Sequence, residues 1–127
     1  MKHLLSLRSG AAISIAAIVS AAFTPAMASA SCYSQGKSLN AQQAEAADLK
    51  TERDALLVSV EDAGDVWEEA EATRGWTPEH TATADATKAK YNSLKDELYA
   101  LEAELQEKVV SLNEGVAAYN RSCATKN

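Results

Sequence analysis

The sequence predicts an all-α protein, an antiparallel two-helix hairpin of coiled-coil type closed by a disulfide between its ends. Three observations carry that reading. Apolar residues recur at heptad spacing through two long segments. A short turn signature separates the segments, and one cysteine lies near the far end of each. Ala, Glu, Leu and Lys dominate while Gly and Pro are scarce, the composition of long helices.

The first thirty residues read as a cleaved signal peptide. Lys2 and Arg8 form a basic start, residues 11–23 are apolar and uncharged, and Pro25 precedes the small-residue site Ala28-Ser29-Ala30. Cleavage is expected before Ser31, with a second acceptable site two residues earlier. The apolar run is too short for a spanning helix, which needs about 20 residues. The Ala-rich leader has a bacterial look, so the expected destination is the periplasm or the exterior, with no stable membrane insertion after leader removal. Lipidation of Cys32 is the alternative, but Ser29-Ala30-Ser31 lacks the leucine that opens a lipobox.

The remaining domain, 31–127, is small and acidic. The leader holds two of the twelve basic residues and none of the eighteen acidic ones, so residues 31–127 carry a net charge of −8. That balance argues against nucleic acid and against an anionic membrane surface. In an exported chain Cys32 and Cys123 are expected to pair, closing nearly the whole domain into one loop.

The helices are expected at about 40–74 and 78–121. Asn40 with Gln43 forms a capping box flanked by Leu39 and Ala44, and Gly75 is the expected C-terminal stop. Gly64 is the one weak point within the first helix. Thr77-Pro78-Glu79 reads as N-cap, first-turn proline and first-turn acid. The seam of the first helix takes Leu39, Gln42, Ala46, Leu49, Arg53, Leu56, Val60, Ala63, Trp67 and Ala70. That of the second takes Ala84, Thr87, Tyr91, Leu94, Leu98, Leu101, Leu105, Lys108, Leu112, Gly115 and Tyr119. Facing residues in an antiparallel pair have numbers of constant sum, and 154, centred on Thr77, satisfies every layer. It sets Val60 against Leu94, Leu56 against Leu98, Gly115 against Leu39 and Ala63 against Tyr91. The cysteines sum to 155, one residue off. The same register places Arg53 near Glu102 and Lys108 near Glu45 and Asp48, as edge pairs of low energetic value.

Leu57, Val58, Val66, Val109, Val110 and Val116 lie off the seam and widen the apolar surface beyond the needs of an isolated hairpin. A homo-oligomer is therefore expected, as an antiparallel dimer forming a four-helix bundle.

The sequence offers no catalytic constellation, no cofactor loop and no metal-ligand spacing, so no catalytic, cofactor or metal residue is assigned. His80 is expected to be exposed and incidental. Glu61, Asp65 and Glu68 share one helical face and give a weak divalent-cation binder as a third reading, behind a solvated acidic face. Trp76 sits at the hairpin tip. It is expected to fold back over the helix ends near Trp67 or Pro78, with a partner contact as the alternative.

Leu39-Asn40-Ala41-Gln42-Gln43 and Trp76-Thr77-Pro78-Glu79-His80 resemble the Leu-Thr-x-x-Gln motif of the Spy/CpxP class of periplasmic helical chaperones and stress sensors, though neither copy carries all three letters. The resemblance implies a periplasmic client-binding or stress-related role. The motif itself is physically a hydrophobic staple with a cap and capping box, the ordinary opening of a helix. The leading expectation is an exported non-catalytic interaction or structural protein of the cell envelope, an adaptor, assembly subunit or spacer.

Overall fold

The computed structural model describes residues 30–124. The leader therefore lies outside the described residues, except Ala30. Helix α1 spans Ala30–Ala72 and helix α2 spans Pro78–Tyr119, followed by a π-helical turn at Asn120–Ala124. The two long helices pack antiparallel, and no strand is present among the described residues.

The seam is the one derived from heptad spacing. Every buried hydrophobic residue lies on it: Leu39, Ala46, Val60 and Ala63 from α1, with Ala84, Leu98, Leu105, Leu112 and Tyr119 from α2. No other seam position is exposed; each is at least half-buried. Leu105 is the most enclosed large side chain, at 1% exposure. Burial of such a leucine contributes about 1.5–3 kcal/mol, so a line of them outweighs anything the exposed charges supply.

Large residues face small ones. A Cβ built on Gly115 would stand 2.7 Å from Leu39 Cδ2. Gly36 faces the Tyr119 ring, and a Cβ on Gly64 would lie 3.3 Å from Tyr91 Cε2. Gly64 thus has a packing role in place of the weak point expected there. The Tyr91 ring stacks on Trp67 with centroids 5.4 Å apart, and Lys88 and Lys95 each lie over one of these rings.

Helix α1 does not start at Asn40. It is already helical at Ala30, so Asn40 is a mid-helix residue and Leu39 is a buried seam residue packed with Leu112 and Tyr119. The heptad continues backwards to Gln35 and Cys32, both half-buried, and that continuous seam overrides the local capping signal. Nor does Gly75 end the helix in a left-handed conformation, since no described glycine has positive φ. The chain instead leaves α1 through short turn bonds, Thr73 and Arg74 amides donating to Ala70 and Glu71 carbonyls and Trp76 amide to Thr73 carbonyl. Helix α2 begins as expected. Thr77 is the N-cap with extended backbone, its hydroxyl accepts from the His80 amide at 3.2 Å, and Pro78 is the first helical residue.

Of the polar seam residues, Lys108 meets Glu45 at 2.6 Å, and this pair holds its ammonium above the usual lysine value. Asp48 forms no ion pair with it. Arg53 pairs with Asp54 rather than Glu102. Its Nε is 3.0 Å from the carboxylate, but the buried N–H does not point at it and makes no hydrogen bond. The charge contact is therefore the weaker kind, without directional bonding.

Cys32 and Cys123 form the disulfide, with Cα atoms 5.8 Å apart. This bond uses the sulfur that a lipid on Cys32 would need. Their one-residue offset from the seam has a local explanation. After Tyr119 the next seam position is 122, not 123. The π-helical turn takes up one extra residue and turns Cys123 onto the seam while Ser122 stays exposed.

Two measurements check this account. Reducing the disulfide, which spans 91 residues, is expected to lower unfolding free energy by about 2–4 kcal/mol, read by denaturant titration with and without reductant. Gly115→Ala is expected to lower stability by about 1 kcal/mol despite alanine's better helix propensity, because overpacking against buried Leu39 outweighs that gain. A stabilised Gly115→Ala variant would refute the tight layer.

Candidate functional site: the hairpin tip

The tip is formed by the residues between Ala72 and Pro78. The chain reverses here without a buried core, so its order comes from hydrogen bonds. The Thr81 hydroxyl donates to the Arg74 carbonyl at 2.6 Å, satisfying one of the acceptors that the end of α1 leaves open. Arg74 bridges both helices, binding Glu71 at 2.9 Å and Asp85 at 2.7 Å. The hydrogen bond it donates to Asp85, and then that to Glu71, push the guanidinium's pKa up. Glu79 is held below the usual carboxylate range by its own backbone amide and by the Thr77 hydroxyl, as befits an acid at a helix N-terminus.

Trp76 stands on this braced turn at 73% exposure. The expected fold-back over the helix ends is not what the structure shows. Trp67 is occupied with Tyr91 within the seam, and its indole N–H reaches Glu71 at 3.3 Å. The ring nearest to Trp76 is His80, at 5.7 Å and tilted by 55°. His80 is correspondingly half-buried rather than exposed, with Nδ1 2.7 Å from the Thr77 hydroxyl. The turn is thus stiff where its backbone is concerned, and its largest side chain projects into solvent.

Other candidate features sit elsewhere. The disulfide Cys32–Cys123 is at the opposite end of the hairpin, a distance set by helices of 43 and 42 residues, about 63 Å. The structure therefore brings the cysteines together and keeps Trp76 far from them. The acidic residues Glu61, Asp65 and Glu68 are all exposed, and no three His, Cys, Asp or Glu side chains among the described residues converge to hold a metal ion. An open groove of about 360 Å³ is lined by Ser59, Asp62, Ala63, Val66, Thr87, Lys90 and Leu94. No helix of the described residues is long and apolar enough to cross a membrane.

No protein-family model, curated protein or solved structure matches this chain.

The exposure of Trp76 is directly measurable. In a Trp67→Phe background, acrylamide is expected to quench the remaining Trp76 emission freely. A shielded, blue-shifted emission would show that the indole is covered in solution.

Proposed function

We propose that this chain is an exported, non-catalytic interaction protein of the bacterial cell envelope, an adaptor, assembly subunit or spacer that presents its tip to a protein partner. The observation that carries the reading is Trp76, 73% exposed on a turn braced by Arg74, Thr77 and Thr81. Leaving a large aromatic in water forgoes the burial such a side chain ordinarily gains, whereas at an interface a tryptophan is a preferred anchor. Glu71, Glu79 and Asp85 belong to the same tip and outnumber Arg74, which binds two of them, so the fitting partner offers an apolar pocket with a basic rim.

The long closed hairpin suits such a role mechanically, because the seam and the disulfide fix the distance between its two ends. The hairpin also self-associates on this reading. Val58, Val66 and Val110 are each more than half exposed and Leu57 is 38% exposed, more apolar surface than two helices bury against each other. The leader sequence and the disulfide support an oxidising compartment outside the cytoplasm.

Affinity capture with the oxidised protein from envelope extract tests the reading. One protein at stoichiometric yield, lost in Trp76→Ala at unchanged melting temperature, is the expected result. A broad mixture of unfolded clients, indifferent to Trp76→Ala, would move the assignment to a client-binding chaperone.

A further inference from the structure

Charge is divided unevenly between the two broad sides of the hairpin. Consider the positions one and four residues beyond Cys32, Leu39, Leu105 and Leu112, which lie together on one side of the seam at the disulfide end. They include Tyr33, Asn40 and Gln43 on α1 and Gln106, Val109 and Asn113 on α2. No residue at such positions from 33 to 47 or from 106 to 120 is charged, in a chain of which 24% is charged. Tyr33 is 62% exposed, Asn40, Gln106 and Asn113 are exposed, and Gln43 and Val109 are half-buried. Over the same length the other side of the seam carries Glu45, Glu107 and Glu114.

We infer that this uncharged side is a two-fold interface with a second copy of the same chain. The inference rests on the self-association in the reading above only in that the chain pairs with its own copy; the exposed Leu57, Val58, Val66 and Val110 lie outside these positions. A domain with a net charge of −8 repels its own copy everywhere except where charge is absent. Asn, Gln and Tyr each donate and accept hydrogen bonds, so a face built from them complements itself across a two-fold axis. A basic partner would find nothing here to pair with and would choose the acidic side instead. The disulfide at this end holds the two helices together and so presents the face already ordered.

The same charges set the direction of packing. Nearer the tip this side bears Asp54, Glu61, Glu68, Glu71, Asp85 and Glu102, against Lys50, Lys88 and Lys95, the last two of which lie over aromatic rings. A parallel dimer would press these acidic halves together. An antiparallel one overlaps only the uncharged ends and leaves the tips pointing apart, about 100 Å from one another on helices rising 1.5 Å per residue. The overlap is about 22 Å long and two helices wide, roughly 900 Å² for both copies, at the low end of specific interfaces. The dimer is therefore reversible.

Sedimentation equilibrium and small-angle scattering of the oxidised protein test this. The expected result is a concentration-dependent dimer with a maximum dimension near about 100 Å. Asn113→Glu and Asn40→Glu, each appearing twice across the axis, are expected to weaken it by about tenfold or more, whereas Ser111→Glu on the acidic side leaves it unchanged. Circular dichroism and melting temperature confirm that the variants remain folded. A monomer up to high micromolar concentration, a dimer indifferent to both Asn variants, or a compact dimer of single-hairpin length would each overturn the inference. None of these outcomes touches the Trp76 capture result, so failure here is separable from failure of the interaction reading.

Discussion

Everything in this molecule depends on one line of contacts. Two helices of 43 and 42 residues, joined by five residues, can bury a single stripe each, and nothing else among the described residues offers a second layer. The stripe must therefore stay in register from the tip to the open end. A slip of one residue would carry the leucines off the seam and set Leu39 against something larger than Gly115. The glycines at 36, 64 and 115 show how closely the register is specified, since each opens room for one particular large side chain on the opposite helix.

The ends of the stripe are treated differently because they face different problems. At the tip the chain has to reverse, and the cost of open backbone groups is met by Thr77, Thr81 and the short turn bonds after Ala72. At the open end two termini would fray, and the disulfide prevents this. The π-helical turn at Asn120–Ala124 reconciles the two: it is the local irregularity that lets a helix in heptad register end with its cysteine facing Cys32. Salt bridges contribute little to this arrangement. The ion pairs involve partly or fully exposed side chains, and pairs of that kind are worth little in water.

On the surface the organising quantity is charge. Acidic residues cover one broad side of the hairpin along its length, while the other side becomes uncharged towards the disulfide. An exposed tryptophan at one end and an uncharged amide-rich face at the other give the rod two distinct ends. This division of labour is what the adaptor or spacer reading draws on. The cation reading has little geometric support, since no three carboxylates among the described residues converge.

The sequence by itself determined the fold class, the seam, the N-cap at Thr77 and the pairing of Cys32 with Cys123. These follow from periodicity and turn chemistry, which are local and repeat often enough to leave one consistent register. Tertiary structure decided what a local pattern cannot. Asn40 and Gln43 spell a helix start, yet the seam continuing to Cys32 keeps the chain helical through them. Gly75 spells a left-handed stop, yet the turn closes without one. Arg53 reaches its neighbour Asp54 instead of Glu102. Trp76 stays in solvent beside His80 of the first α2 turn, while Trp67 packs on Tyr91 within the seam. In each case the competing contact lies on the other helix or further along the same one, and only packing the two helices together shows which contact wins.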